Sequence, residues 1–480
     1  MQLLAAGCNP PKETATSAQS PAYSKTMTVS RLRPFGETIF ATMSRLATEY
    51  DAINLGQGFP DWDGPAKVLA EAQHQIAGGN NQYGPGRGMK VLREAIVADR
   101  ARRTGQVYDA DAECLVTVGA TEAIAATALG HLEPGSHVIV IEPYYDSYKA
   151  AIALANCTYT AVPLIPTASD TERFWPLDRS ALADAVTAET AMIIINSPHN
   201  PTGTILKNED LQAIADVAIA NNLLVLADEV YERLYFNGLS HSSISTLPGM
   251  RERTIVVSSA AKTFNVTGWK IGWALAPTEL LDGVVKAKQF LSYVGATPLQ
   301  PAVARGLQEC APWVDELAGQ LEGNMRLLAD GLEGLGADVF TPQAGYFVVA
   351  DVSSWGLGDA LETCTRLVKE CRVAAIPVTA FVDDPESEKY RYLVRFAFCK
   401  RAEVIEEAIA RLRDYLADWP VTDRPVTDRP ASGQPVTDRP ASGQPVTDRP
   451  ASGRTATGRP ATGRIAIARP VADESDSAAE

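Results

Sequence analysis

Histidine and cysteine are scarce in this chain, five and seven residues among 480, and neither is arranged to hold a metal. There is no HExxH, no CxxC pair and no cluster of carboxylate and imidazole ligands, so no catalytic metal is expected. The cysteines (Cys8, Cys114, Cys157, Cys310, Cys364, Cys371, Cys399) are scattered, which fits reduced thiols in a cytoplasmic protein better than a disulfide framework. Positive charge is also in deficit. Lysine and arginine total 43 against 58 acidic residues, a formal net charge of −15, which argues against a nucleic-acid partner. No apolar run approaches the roughly 18 residues a membrane helix needs, so no membrane partner is expected. The opening MQLLAAGC superficially resembles a lipoprotein cleavage site at Cys8, but it lacks a basic segment and a long enough apolar run.

What is present is an ordinary globular composition, 46% hydrophobic, in a chain long enough for two or three domains. The ends stand apart from the rest. Residues 1–26, rich in Ser, Thr, Pro and Ala after Cys8, read as a disordered extension, with Met27 as an alternative start. Residues 420–480 carry a decaying ten-residue repeat, PVTDRPASGQ, whose regular prolines and low apolar content cannot build a core; they read as a disordered tail.

Between these ends the pattern alternates. An amphipathic helix with Phe40, Met43 and Leu46 on one face precedes the Gly-rich stretch NLGQGFPD, and a second Gly-rich loop carries Tyr83. Apolar runs at 114–118, 137–141, 192–195, 223–227 and 254–257 read as buried strands, and helical stretches separate most of them. This alternation predicts an α/β fold with a mostly parallel sheet. From about residue 301 the period changes to long helices, 303–335 and 358–371, framing short strands near 344–349 and 393–398. A last helix is predicted over 402–419. Ligands in parallel α/β sheets bind beyond the carboxyl ends of the strands. The residues that follow the five predicted strands are Gly119-Ala120-Thr121, Glu142 to Tyr145, Asn196 to Gly203, Asp228 to Tyr231 and Ser258-Ser259, all polar, aromatic or Gly-rich.

These residue types suggest specific chemistry. Lys262 stands among small neighbours just after a buried strand, where desolvation would favour the neutral amine that Schiff-base chemistry requires. Alone, it would read as a surface lysine in a polar loop, and it is the rest of the chain that favours the chemical role. The helix start at Ala120, with Ser259 and Lys270, suits an anion such as phosphate. Asp228 closes a buried strand and needs a cationic partner or several donors. A protonated ring nitrogen would serve, as would a helix cap or an ion pair. Tyr231 is spaced to reach a phenolic oxygen of such a ring, and Tyr145 to stack on its face. Arg395 interrupts the apolar alternation LVRFAF, and its planar fork calls for a carboxylate, either internal or from a substrate.

The motifs NLGQGFPD, NQYGPGRG, VTVGATEA, EPYYDSY, NSPHNPTG, ADEVYE, SSAAKTFNVTGWKIGW and VRFAFCK occur together, in the order seen in class I/II (fold type I) pyridoxal-phosphate aminotransferases. The resemblance spans residues 29–416. It is strongest to the actinobacterial N-succinyldiaminopimelate aminotransferases and to the kynurenine, glutamine and methionine branch. It implies an arm and first part of a small domain over 27–63, a large cofactor-binding domain over 64–300 and the rest of the small domain over 301–419. It further implies that Lys262 holds pyridoxal 5'-phosphate as a Schiff base and moves the substrate proton, that Asp228 pairs with the ring nitrogen, and that Tyr231 and Asn200 contact the ring oxygen. Tyr145 would stack on the ring, while Ala120, Thr121, Ser259 and Lys270 would hold the phosphate. Tyr83 would reach the cofactor of a partner subunit in a homodimer with shared sites. Arg395, with Gly58 and Asn200, would bind the substrate carboxylate, and Phe40, the 56–60 loop and 295–297 would line the side-chain pocket.

The implied reaction is ping-pong transfer of an amino group between an amino acid and a 2-oxo acid, with N-succinyldiaminopimelate and 2-oxoglutarate as the expected pair in lysine biosynthesis. The alternatives are a broad kynurenine, glutamine and methionine aminotransferase or a C–S β-lyase. A regulator built on an aminotransferase-like domain would need a DNA-binding module, for which the short N-terminal stretch leaves no room. A non-catalytic scaffold would not need Lys262, Asp228 and Arg395 together.

Overall fold

The computed structural model describes residues 28–169 and 173–419. The extension over 1–26 and the tail over 420–480 lie outside the described residues. Seven strands form the central sheet: β1 (Cys114–Val118), β2 (His137–Glu142), β3 (Thr158–Pro163), β4 (Thr190–Asn196), β5 (Leu224–Asp228), β6 (Thr254–Ser259) and β7 (Ile271–Leu275). They lie in the order β1-β7-β6-β5-β4-β2-β3. All are parallel except β7, which runs antiparallel to both of its neighbours.

Alternation of side chains across the strands explains why these runs are apolar throughout. Ile139, Ile193 and Val225 point into one core, whereas Val138, Val140, Met192, Ile194 and Leu226 point into the core on the opposite face. Helix α1 (Gly119–His131) sits in the second core and packs on α2 (Thr278–Leu291). A Cβ on Gly130 would fall 2.3 Å from the Gly283 carbonyl oxygen, so this crossing depends on bare backbone at both positions.

A second sheet has four antiparallel strands, β8 (Asp338–Phe340), β9 (Phe347–Asp351), β10 (Ile376–Pro377) and β11 (Leu393–Ala397), in the order β8-β9-β11-β10. Its core includes the N-terminal helix residues Met43 and Ala47 and the C-terminal helix residues Ile405 and Leu412, so the two ends of the described chain meet there. The fold is that of the fold type I enzymes, an α/β protein with a mostly parallel sheet.

Several expectations need correction. The helix expected over 303–335 is two helices, Gln300–Glu309 and Ala311–Glu333, separated at Cys310. Pro312 gives the reason: its ring and missing N–H are tolerated in a first turn but not in a helix interior. The helix expected over 358–371 is regular only over Ala360–Arg366 and ends in a wider turn, Leu367–Cys371. The strand expected near 344–349 begins at Phe347, because Gly345 adopts a left-handed φ of +86° just before it. Strands β3, β7, β8 and β10 are additional to those predicted; β8 and β10 are only three and two residues long. β3 is the sheet edge and shows half-buried polar alternation, and β7 lies within the WKIGWAL segment that motif reasoning had claimed.

Candidate active site

The carboxyl ends of the parallel strands open into a cavity of about 410 Å³. Its lining contains Phe40, Gly58, Ala120, Thr121, Tyr145, Asn200, Asp228, Tyr231, Ser259, Lys262, Lys270 and Arg395. Tyr83 is the one predicted site residue outside it. Its side chain is 85% exposed and meets Tyr293 edge-on at 5.8 Å. The 295–297 segment also does not line the cavity; a Cβ on Gly295 would strike Val118 at 2.5 Å.

One end of the cavity gathers a helix N-terminus and a lysine, a combination that suits an anion. β1 turns through Gly119, whose φ of +74° suits glycine, directly into α1, so the first N–H groups of that helix face the cavity. Lys270, itself left-handed at φ +53°, brings Nζ to 3.2 Å from where a Cβ on Gly119 would be. On β7, a Cβ at Gly272 would sit 2.6 Å from the Gly119 carbonyl carbon and 2.7 Å from the Ala120 nitrogen, so the strand approaches the helix start as closely as backbone allows. The Ser259 hydroxyl accepts from the Ala261 N–H at 3.1 Å and donates to the Ile271 carbonyl at 3.0 Å, which joins β6 to β7 at this end.

Asp228 occupies the floor. Burial raises its pKa to about 6, against the pull of two donors, the Tyr148 hydroxyl at 2.7 Å and the Val230 N–H at 3.3 Å. The Asn196 side-chain amide donates to the Asp228 carbonyl at 2.9 Å, and its oxygen accepts from the Asn200 N–H at 2.7 Å. The adjacent strand ends β4 and β5 are therefore fixed side by side. Behind them Arg100, fully buried, donates to Glu229 at 2.6 Å, Ser243 at 2.6 Å and Ser245 at 3.0 Å. The Ser258 hydroxyl donates to Glu232 at 2.7 Å. Burial disfavours the Glu229 carboxylate, but the Arg100 charge overrides it and holds its pKa well below the usual carboxylate range. The acidic residues of ADEVYE are thus divided: Glu229 and Glu232 are consumed by the framework, and Asp228 is presented to the cavity.

The Lys262 ammonium lies between the two ends and donates to the Gly58 carbonyl at 2.7 Å. Burial lowers its pKa to about 8, and the nearby Arg395 and Lys270 charges act in the same direction. A substantial neutral fraction near physiological pH follows. Arg395 stands at the far wall. It donates to the Asn200 side-chain oxygen at 2.9 Å and to the Gly56 carbonyl at 2.6 Å. Its planar face lies 3.7 Å from the Phe347 ring centroid and 4.7 Å from that of Phe381. Burial lowers its pKa to about 9, so it stays charged at neutral pH, yet it makes no ion pair among the described residues and its Nε–H has no partner. The internal carboxylate weighed for Arg395 is therefore not what the fold supplies.

Sequence reasoning missed Tyr148, Asp146, Thr38 and Phe347, all of which line the cavity, whereas Gln57 and Asn196 lie in the 56–60 loop and the strand-end segment it singled out. Only Tyr148 carried a usable signal. It lies three residues after Tyr145 at the start of a helix, the spacing that puts both on one face; the two rings meet edge-on at 5.9 Å.

Comparison with known proteins places the chain in a family. The family model described as "Aminotransferase class I and II" matches residues 50–412. A Mycobacterium tuberculosis protein named "Probable N-succinyldiaminopimelate aminotransferase DapC" is 52% identical over 402 residues, covering 82% of this chain and 100% of its own. The methionine aminotransferase of Escherichia coli is 36% identical over 384 residues, covering 80% of this chain and 97% of its own. Among solved structures, that of the M. tuberculosis N-succinyldiaminopimelate aminotransferase superposes with a TM-score of 0.78 at 52% identity, covering 81% of this chain and 100% of that one. With a buried lysine, an acidic floor and an unpaired arginine in one cavity, and a family model spanning most of the described chain, this protein belongs to the class I and II aminotransferases.

Proposed function

We propose that this aminotransferase binds pyridoxal 5'-phosphate and moves the amino group of a long, acylated diamino acid, N-succinyldiaminopimelate, to 2-oxoglutarate by a ping-pong mechanism. The observation that carries the cofactor assignment is Lys262. It is a buried amine with its pKa lowered to about 8, set between an anion cradle and an acidic floor. The donor set fits the cofactor's groups. The α1 N-terminus, Ser259 and Lys270 would hold the phosphate, Asp228 would accept from the ring nitrogen, Asn200 and Tyr231 would meet the ring oxygen, and Tyr145 would cover the ring face. The unpartnered Arg395 Nε–H fits a carboxylate brought in by the substrate.

When bound, the cofactor supplies an electrophilic carbonyl and a ring that takes up the electron pair left when the donor's Cα proton departs. The protein does the rest. Arg395 fixes the α-carboxylate, with the Asn200 amide at its side. Lys262 Nζ would take up and give back the proton that leaves the donor's Cα. The Asp228 carboxylate would hold a proton on the ring nitrogen. We place Tyr83 at a subunit interface, reaching into the cavity of the second copy in a homodimer. Its exposure, and that of Phe290 (87% exposed) three residues before its neighbour Tyr293, supports that reading. The large and small domains would divide at 63/64 and 300/301, with one sheet in each. The unpaired thiols of the described cysteines fit a cytoplasmic setting.

The substrate assignment rests on the 52% identity to the M. tuberculosis protein. The test is kcat/KM of cofactor-loaded enzyme on N-succinyldiaminopimelate, kynurenine, glutamine and methionine with 2-oxoglutarate or the matching oxo acid as acceptor. A large preference for the succinylated donor is expected, which would place the enzyme in lysine biosynthesis. Comparable rates on the other three would make it a broad aminotransferase. Pyruvate and ammonia from a cysteine conjugate without an acceptor would make it a β-lyase.

A further inference from the structure

The chain between β10 and β11 bridges the two sheets, and one carboxylate fastens it. Asp383 Oδ1 accepts from the Tyr144 hydroxyl at 2.5 Å, from Lys149 Nζ at 3.3 Å and from the Tyr159 hydroxyl. The Asp383 N–H donates to Glu142 at 2.9 Å, and the Tyr144 N–H donates to the Phe381 carbonyl at 2.7 Å. Every partner lies on the central sheet or its connections: Glu142 ends β2, Tyr159 is on β3, and Tyr144 and Lys149 flank Tyr145. On its other side the same short segment presents Phe381, which is fully buried. That ring packs edge-on against Phe40 at 5.3 Å and covers the Arg395 guanidinium. Val378 and Val382 sit in the central-sheet core, whereas Phe381 sits in the core of the second sheet.

We propose that Asp383 is a positioning residue for donor binding: it ties the Phe381 turn to the Tyr144-Tyr145 turn and so holds the aromatic cover of Arg395 in register with the wall that carries Tyr145. The inference rests on the reading of Arg395 as the carboxylate clamp. The physical reasoning is direct. Arg395 makes no ion pair among the described residues, and the cavity carboxylate that acts on it, Asp146, does so without contact, so its plane is kept in place by its side-chain and backbone acceptors and by the rings on its face. Val378 and Val382 pack the segment on the central sheet, and its polar ties there are the Phe381 carbonyl, the Asp383 N–H and the Asp383 carboxylate, of which the carboxylate alone gathers three donors from that sheet and its connections. A carboxylate that gathers two phenols and an ammonium on one oxygen is a stiff anchor, because each donor is charge-assisted. Freeing it would loosen the Phe381 cover and let water onto the guanidinium. Lys262, Asp228 and the phosphate cradle make no contact with the segment and would be unchanged. The expected signature is weaker substrate binding without slower chemistry.

The experiment uses the full-length, cofactor-loaded enzyme with Asp383→Ala, with Asp383→Asn, which keeps an acceptor oxygen, and with the double variant Tyr159→Phe/Lys149→Met, which leaves Asp383 in place and removes two of its donors. For Asp383→Ala the KM of the amino donor should rise about tenfold, the scale of one lost charge-assisted contact, with kcat within about twofold of wild type. Calorimetric binding of the unreactive des-amino analogue of the donor should weaken by the same factor. Asp383→Asn should recover most of the loss, and the double variant should fall between. If Asp383→Ala fails to fold, the double variant decides. An unchanged KM and analogue affinity in folded variants would overturn the proposal, and so would a fall in kcat as large as the rise in KM. A wild-type enzyme that turns over no donor would count against the proposed function alone, because analogue binding still tests the anchor.

Discussion

The site depends on a few buried groups held in unfavourable protonation equilibria. Lys262 has the clearest consequence. In the folded chain without cofactor its pKa is about 8 against an ordinary 10.5, so between those values the unfolded chain binds more protons than the folded one. Stability therefore rises with pH across that window, and below it the buried ammonium carries its full desolvation penalty. Urea melts of cofactor-free wild type and Lys262→Met should show the wild type gaining on the variant between pH 8 and pH 10. A gap that does not move with pH would mean the amine is better solvated than its burial implies. With cofactor bound, Lys262→Ala should lose at least about a hundredfold in turnover through lost proton transfer alone. Arg395→Ala should raise the donor KM by an amount worth about 2–5 kcal/mol, with less effect on kcat, because it leaves the donor carboxylate buried and unpaired. Steady-state kinetics on both variants would check these effects, and an unchanged KM in the second would remove the clamp.

At the level of elements, the anion end is an argument about backbone rather than side chains. The β7 strand and the α1 start touch through Gly272 and Gly119 with no room for a methyl group. Gly272→Ala should force the two apart, destabilising the protein by about 1–3 kcal/mol as an overpacked core does. It should also loosen the cofactor through the displaced helix N-terminus. Thermal melts and cofactor retention on dialysis would report the two effects separately. Much of this level was legible in the sequence. Strands β1, β2, β4, β5 and β6 are continuous apolar runs because both faces are buried, and each is followed by the polar group it delivers. The strand β3 escaped because an edge strand leaves most of its side chains at least partly exposed, Thr158 and Thr160 the most so. The break at Cys310 escaped because helical periodicity runs through it unchanged; only Pro312 marks it.

At the level of the whole molecule, the cavity draws on residues from Thr38 to Arg395, so both sheets and the N-terminal segment must be in place before the site exists. No described residue that lines it lies beyond β11. Truncation after Trp419 keeps the last helix and should leave kcat/KM and subunit state unchanged. A fall in either, measured by kinetics and light scattering, would give the repeat segment a role.

The sequence by itself determined which chemical groups stand at the strand ends: Lys262, Asp228, Tyr231, Asn200 and the anion cradle. It could do so because strand period, glycine turns and local motifs are short-range properties, written into consecutive residues. Only the tertiary structure decided that Arg395 makes no ion pair among the described residues, that Tyr148 donates to Asp228, that the Gly58 carbonyl holds Lys262, and that Asp383 joins the two walls. These are pairings between residues 80 to more than 200 positions apart. Their strength comes from desolvation, which no residue acquires until the chain has closed around it.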